Sequence, residues 1–546
     1  MQNIKWQVAK KLSDDLLTQL LQNRNLEREA DQSEFLNPPK PVFDYIFSHS
    51  HIDSKSFQKA LTRIKKAIKN KEKIIVYGDY DADGITGTTV MWEAIYYAGG
   101  NCIPYIPDRA TEGYGLNKAA VKRLANEKIG LIITVDCGIT GIQEVEIANS
   151  LGIDVIITDH HQKGKRLPKA FAIIHDDTLV GVSVAWTLAM GVKREFPNQK
   201  FESKINDLDL VAIGTIADLQ PLLFKNRSFV KWGLQALNKT ERLGLRMLID
   251  QADLPWGEID TYHVGYIIAP RLNATGRLQD GLSAVRLLCT KDELQALELT
   301  DSLSKLNTQR QELTITSFEE AEMQIKVSDN KKVLVLTHES WHEGIVGLVA
   351  SRIKEKYYRP TLAISTQGKV GKGSARSIKG FNIINALREM EDLLIDCGGH
   401  PMAAGFTIEL NKVEEFKKRL EEFTEKYLEP TLLEPLLEID AEVKLSDLNW
   451  EFKKIVDKFR PFGVENPEPI FLIRNITVTH ISLIGKIQNH LKFKIGNLEG
   501  LGFGLGYLFP EVIKNPKMDI AFSLNESFWN GNKKLFLKIK DLHLIP

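Results

Sequence analysis

The chain of 546 residues is too long for one hydrophobic core; at about 150 residues per domain it should divide into roughly three or four units. With 43% hydrophobic and 26% charged residues its composition is that of a globular protein rather than a disordered one. Lysine plus arginine equals aspartate plus glutamate at 71 each, and this formal net charge of zero excludes a protein that coats a polyanion by charge alone. Any polyanion must be met by local patches or bound cations.

The start, MQNIKWQVAKKLSDD, has no apolar core behind its positive charges, and no later stretch reaches about eighteen uninterrupted apolar residues, so the expected location is cytoplasmic, with no membrane partner. Cys102, Cys137, Cys289 and Cys397 are far apart and form no CxxC pair, which argues against a disulfide framework or a zinc knuckle and for a reduced compartment.

Residues 1–70 read as a polar, helical N-terminal segment, broken by PPKP at 38–41 and closed by the basic helix FQKALTRIKKAIKNKEK. Over 71–290, the apolar runs KIIVY (73–77), LIITV (131–135) and IDVIIT (153–158) alternate with helix-like stretches such as TGTTVMWEAIYYAGG, the pattern of a parallel α/β sheet. Within 291–328, the stretch from Lys291 to about Ile325 lacks Gly and Pro, and Leu299, Leu303, Leu306 and Leu313 recur at helical spacing. A helix of that length runs roughly 50 Å and should connect two domains. Over 329–428, KVLVLT, TLAIS and AGFTIEL alternate with helical patterns as a second, smaller α/β unit. From 429 to 546 the pattern changes to short alternating strands such as HLKFKIG, MDIAFSLNES and KKLFLKIKDLHLIP, best matched by a small β-barrel of the oligonucleotide-binding (OB) kind.

Each apolar run of the first α/β unit ends on acid or imidazole: Asp79, Asp81 and Asp83 after KIIVY, Asp136 after LIITV, and Asp159, His160 and His161 after IDVIIT. In a parallel sheet these carboxyl ends lie side by side, where such folds hold their ligands. The stretch DLDLVAIGTIADLQP reads as an apolar helix ending at Asp218, which brings a further carboxylate to the same crevice. So many carboxylates repel strongly unless cations are bound, and oxygen ligands with one or two imidazoles and no thiolate suit two divalent ions, Mn2+ or Mg2+, with zinc as the alternative. In such a site a bridging carboxylate holds the ions together and a shared water is activated for attack on phosphorus. Taken singly, GDYDADG is as well read as an Asp-rich turn capping the next helix, and DHH as a polar turn at a strand end. Their joint placement at successive strand ends favours the metal centre.

In this order, YGDYDADG, VDCG, TDHH and TIADLQP resemble the four motifs of the DHH phosphoesterase family, and GGHPMAAGF (398–406) resembles the signature of the domain that accompanies it. IAPRLNATGR, WHEGIVGLVASRI, GKGSARSIKGFNI and FRPFGVENPEPIF narrow the resemblance to the RecJ family of single-strand-specific DNA exonucleases, over nearly the whole chain from about residue 70. The resemblance implies an α/β fold: a parallel-sheet DHH domain and a smaller α/β DHH-associated domain joined by a long helix, plus the OB-like β-barrel. It implies hydrolysis of single-stranded DNA from the 5′ end to mononucleotides. It makes Asp81 and Asp136 ligands of one metal, and Asp83, Asp136, His160 and Asp218 ligands of the other, with Asp136 as the bridge and His161 facing the substrate phosphate. Many members carry a histidine ligand four residues before the first Asp of the DxD pair; that position is Tyr77 here, and Asp79 is the residue that would supply the missing ligand.

The resemblance further implies a pocket for the 5′-terminal phosphate at Arg109, Ser374 and Arg376, and contacts to the scissile or neighbouring phosphates from Arg271, Asn273, Arg277 and His400, with Gly398 and Gly399 admitting close backbone approach. Guanidinium forks and a hydroxyl are what a phosphate selects. On the residues alone, Arg109 is a solvated loop residue, SARS an edge strand, GGH a turn into a helix and His342 a capping or packing residue. In the barrel, Lys492, Lys494, Phe528 and Trp529 offer cations and stacking faces for a single strand, with Phe493 read as a core aromatic. Single-stranded DNA is thus the expected partner of a monomeric chain; a single-strand-binding protein and a RecQ-like helicase are implied by resemblance only. Two other readings stay open. One is a phosphodiesterase of the same family acting on short oligoribonucleotides, cyclic dinucleotides or pyrophosphate, disfavoured by the barrel and the Arg109 region. The other is a non-catalytic DNA-binding scaffold, disfavoured by the complete set Asp81, Asp83, Asp136, His160 and Asp218.

Overall fold

The computed structural model describes residues 4–109, 111–197, 199, 207–325, 331–529 and 532–545. They divide into two compact units: Lys40–Gln220 with Lys225–Leu433, and Met1–Pro39 with Pro221–Phe224 and Glu434–Pro546.

In the first unit, strands β1 (Lys73–Tyr77), β2 (Asn101–Tyr105), β3 (Ile129–Val135), β4 (Asp154–Asp159) and β5 (Ala172–His175) form a parallel sheet in the order β2-β1-β3-β4-β5. Tyr77 pairs with Thr134 and Val135 with Thr158, so the three central strands finish level with one another. Their apolar runs are continuous because both faces are covered. Ile75, Tyr77, Ile132, Val155 and Ile157 pack on one side against Val121, Leu124, Val145 and Ala148. On the other side lie α1 (Ala82–Tyr97) and α2 (Gly181–Glu195), which pack on each other and on α3 (Leu208–Ala217). Strands β2 and β5 were not anticipated from the sequence. Both are edge strands, and NCIPY carries Pro104, a residue without an N–H that an edge tolerates.

Helix α4 (Ala269–Leu278) packs against α5 (Glu293–Gln324), which at 32 residues runs roughly 48 Å toward the second sheet of this unit. That sheet comprises β6 (Leu334–His338), β7 (Thr361–Ser365), β8 (Val370–Arg376), β9 (Leu394–His400) and β10 (Ala403–Glu409), in the order β9-β10-β8-β7-β6. SARS therefore lies in the central strand rather than at an edge. GGH ends a strand and leads into a hairpin, with His400 opposite Ala403, rather than into a helix. Helix α6 (Val346–Tyr357) packs on α5, β7 and β8.

In the second unit, Lys5–Val8 pairs in parallel with Leu436–Ile439, and Trp6 and Val8 pack with Ile439, Leu472 and Ala521. Residues 1–70 are thus not one helical segment: the first part joins the C-terminal unit through this strand, while helix Ser54–Lys69 belongs to the first unit. The C-terminal strands form a seven-stranded mixed sheet around a core that includes Phe471, Phe493 and Phe522. Phe493 is a core aromatic, Lys494 is exposed, and Lys492 pairs with Glu499 at 3.1 Å. The side chains of Phe528 and Trp529 lie outside the described residues. Among the described residues no helix is long and apolar enough to cross a membrane.

Candidate metal centre

The loops that follow β1, β3 and β4 meet the end of α3. In the first loop Asp81 is the N-cap of α1, its Oδ1 accepting the N–H groups of Asp83 and Gly84 at 3.0 Å each. Capping thus engages one oxygen of that Asp. Asp83 accepts from the first turn of α2, Oδ2 from the Gly181 N–H at 2.7 Å and Oδ1 from the Val182 N–H at 2.8 Å, where the helix dipole favours negative charge. Gly181 permits this approach, since a Cβ there would lie 2.4 Å from that of Asp136. Asp136 has φ 62°, a left-handed conformation few residues other than glycine adopt and one that concentrates at functional sites. Asp218 is the C-cap of α3.

Carboxylate oxygens and imidazole nitrogens converge in three overlapping groups, each with its ligand atoms within 4.8 Å of one another: Asp79, Asp81 and Asp136; Asp83, His160 and Asp218; and Asp136, His160 and His161. Asp136 and His160 each belong to two. His160 Nε2 lies 3.0 Å from Asp136 Oδ1, 3.8 Å from Asp218 Oδ2 and 3.9 Å from Asp83 Oδ2. Yet His160 Nε2, Asp136 Oδ1 and Asp79 Oδ1 are buried and make no hydrogen bond among the described residues. Buried polar atoms are nearly always paired, so these three, within groups whose ligand atoms converge, fit cations held between them. Tyr77 is not among them: its hydroxyl donates to the Gly115 carbonyl at 3.0 Å and its ring packs on Tyr105.

The electrostatics agree with the donor set. Burial, reinforced by Asp81, pushes the Asp79 carboxyl well above the usual range; burial with Asp218 and Asp81 does so for Asp83, and burial with Asp83 and Asp81 for Asp136. Asp218 is pushed up to about 7 by burial and the Asp81 charge. His160 is pushed down to about 3 by burial and the charge of His161, leaving the neutral ring that ligates metals.

Asp159, the first residue of the triplet, lies outside the three groups. Its Oδ1 accepts the N–H groups of His160 and His161 at 2.7 and 3.0 Å and faces His161 Nδ1 at 2.8 Å, while Oδ2 accepts the Ile139 N–H at 2.9 Å. Burial opposes ionisation, but these donors hold the carboxyl below its usual range. For His161, burial works against the charged ring, yet the bond to Asp159 and the nearby carboxylates outweigh it and raise the pKa to about 9. The Tyr114 hydroxyl lies 3.1 Å from both ring nitrogens of His161 and 3.2 Å from the Asp136 carbonyl oxygen. No sequence pattern marks the role of Tyr114, because it reaches Asp136 and His161 from a loop distant in the chain.

Beside the acids stands a group of cations. Arg109 is exposed and sits over the Tyr80 ring at 5.1 Å. Arg376 Nη1 donates to Ser374 Oγ at 2.9 Å and Nε to Ser351 Oγ at 3.2 Å; a Cβ at Gly347 would lie 2.8 Å from Arg376 Nη2. Arg277 Nη1 donates to the Gly344 carbonyl at 2.8 Å, and burial with the charges of Arg109, Arg310 and Arg376 pushes its pKa down to about 9. Asn273 Oδ1 accepts the Ala82 N–H at 2.7 Å and so holds the Asp-rich loop. Arg271 Nη1 donates to the Ile267 carbonyl at 2.8 Å. His400, from the second sheet, faces His161 with ring centroids 6.4 Å apart, whereas His342 Nδ1 accepts the Gly344 N–H at 3.0 Å within the turn that precedes α6, whose N-cap is Ile345.

Known families match three parts of the chain: the DHH family, N-terminal domain, at residues 73–215, the DHHA1 domain at 330–426 and the RecJ OB domain at 439–541. The single-stranded-DNA-specific exonuclease RecJ of Bacillus subtilis is 37% identical over 96% of this chain and 67% of that protein, and that of Escherichia coli is 33% identical over 89% of this chain and 90% of that protein. The crystal structure of RecJ from Thermus thermophilus in complex with Mn2+ superposes with a TM-score of 0.85 at 28% identity, covering 100% of this chain and 80% of that one. With motifs, domains and relatives in agreement from end to end, the chain belongs to the RecJ family.

Proposed function

We propose that this chain is a metal-dependent exonuclease that hydrolyses single-stranded DNA from the 5′ end and releases mononucleotides. The observation that carries the reading is the set of ligand groups overlapping at Asp136 and His160, with three buried ligand atoms that make no hydrogen bond among the described residues, in a chain whose relatives are named single-stranded-DNA-specific exonucleases. Asp79, Asp81 and Asp136 would hold one divalent ion, and Asp83, Asp136, His160 and Asp218 the other. Mn2+ or Mg2+ bound there supplies the Lewis-acid chemistry of phosphodiester hydrolysis, lowering the pKa of a water and neutralising charge on phosphorus. His161, charged through Asp159, donates a hydrogen bond to a phosphoryl oxygen. Arg109, Ser374 and Arg376 take the 5′-terminal phosphate, while Arg271, Arg277 and His400 meet the scissile phosphate or its neighbours.

Residues 71–290 and 329–428 carry the cleavage site, 291–328 join them, and 429–546 guide the strand. The chain works as a cytoplasmic monomer on strands shared with a single-strand-binding protein and a RecQ-like helicase. The test is a long single strand labelled at either end and incubated with Mn2+: the 5′ label should appear first, as a mononucleotide, and Asp136→Ala should abolish the reaction with an unchanged circular dichroism spectrum. Faster turnover of a linear or cyclic dinucleotide than of the long strand would overturn the reading.

A further inference from the structure

The segment between β2 and the helix Lys118–Asn126 is tied down at both ends and bent in the middle. The Tyr105 hydroxyl, at the end of β2, lies 2.7 Å from both carboxylate oxygens of Glu112, and the Asp108 N–H donates to Glu112 Oε2 at 3.0 Å. Asn117, the N-cap of the following helix, donates through Nδ2 to the Glu112 carbonyl at 2.7 Å. Gly113 and Gly115 stand on either side of Tyr114 with φ 77° and 80°, left-handed values that a side chain resists, although a Cβ at either would meet nothing within 4 Å. Backbone conformation, not space, calls for glycine at both positions.

Between these bends the Tyr114 hydroxyl donates to the Asp136 carbonyl oxygen at 3.2 Å, and its oxygen lies 3.1 Å from both nitrogens of the His161 ring. The N–H directions of an imidazole diverge, so an oxygen equidistant from the two nitrogens is aligned with neither. Tyr114 therefore packs against the ring, edge to face with centroids 5.5 Å apart, while Asp159 engages Nδ1 at 2.8 Å. Neither neighbour takes the Nε2 direction. Tyr77, fully buried at the end of β1, donates its hydroxyl to the Gly115 carbonyl at 3.0 Å and stacks on Tyr105 with centroids 4.9 Å apart. The residue that stands where many DHH members carry a histidine ligand thus grips the backbone next to Tyr114.

We propose that Tyr114, anchored by Tyr77 through the Gly115 carbonyl, is a positioning residue for His161 that holds the imidazole with Nε2 toward the scissile phosphate. The assignment rests on the exonuclease reading above, in which His161 meets a phosphoryl oxygen. Two groups fix the ring: Asp159, from the same loop, sets Nδ1, and Tyr114, from a distant one, bars the ring from turning. A ring restrained on one side only spends part of its time misdirected, and misplacement at the reacting centre costs rate.

Tyr114→Phe keeps the half-exposed ring and removes only the hydroxyl. On a 5′-phosphorylated single strand with Mn2+ it should lower kcat roughly tenfold, the loss of about one hydrogen bond's worth of transition-state stabilisation, and leave KM within about twofold. In a His161→Ala background the same change should lower kcat by less than about twofold, because the group through which Tyr114 acts is gone. Tyr77→Phe should lower kcat in the same sense, and combined with Tyr114→Phe should cost no more than Tyr114→Phe alone; if this buried change fails to fold, Tyr114→Phe decides the matter. An unchanged kcat in Tyr114→Phe, a loss confined to KM, or a tenfold loss that persists in the His161→Ala background would overturn the proposal. A wild-type protein that does not shorten the strand from its 5′ end would refute the exonuclease reading itself, and an undiminished kcat in His161→Ala the role given there to His161. A wild type that does shorten it, slowed by His161→Ala but not by Tyr114→Phe, refutes only the positioning role of Tyr114.

Discussion

On the Asp159 carboxylate, three backbone N–H groups and one imidazole nitrogen converge, and the consequence is the charge state of His161. In the metal-free protein the His161 ring should titrate near pH 9 by NMR, and Asp159→Asn should bring it down toward the ordinary 6.5. The sign follows from a folded pKa raised above the unfolded one: the stabilisation is complete below the unfolded value and is lost as pH rises through about 9. An unchanged titration in the variant would show that some other group charges the ring. Adjacent letters of the triplet thus have separate tasks, which the sequence cannot separate because the loop after β4 decides where each side chain points. Position 77 was more legible. Tyr77 shares the strand face of Ile75 and goes into the core, while Asp79 lies beyond the strand and joins Asp81 and Asp136.

Between elements, the site depends on how α1 is held against α3, since Asp81 and Asp83 open the first helix and Asp218 ends the second. Arg242 ties them together. It donates to both oxygens of Glu93 on α1 at 2.8 Å, and lies 3.1 Å from Asp207 and 3.4 Å from Asp209 at the start of α3, all of them buried. Arg242→Ala leaves Glu93 and Asp209 without a cation, while Asp207 keeps Lys193, and should cost about 3–5 kcal/mol in urea unfolding. A loss under about 1 kcal/mol would mean that the network is not what fixes the two helices. This network was invisible in the sequence, where DLDL reads only as the start of an apolar helix and its partners are distant in the chain. Central strands announced themselves because continuous apolar runs are what two covered faces require; NCIPY and AIIH, short and at edges, gave no such signal.

For the whole molecule, a formal charge of zero conceals a sharp local division: carboxylates gather at the strand ends and guanidiniums stand beside them. Composition averages over that arrangement, which is why it excluded coating by charge yet could not locate a phosphate site. The motifs did locate the centre, since parallel β1, β3 and β4 must finish together. They left open where the first residues belong, because the pairing of Lys5–Val8 with Leu436–Ile439 joins opposite ends of the chain. The central claim is that Asp136 is shared by two divalent ions. Anomalous diffraction at the manganese edge, from crystals grown with Mn2+, tests it directly. Two peaks flanking the Asp136 carboxylate, one bounded by Asp79 and Asp81 and the other by Asp83, His160 and Asp218, are the expected result; a single peak, or two that do not share Asp136, would contradict it.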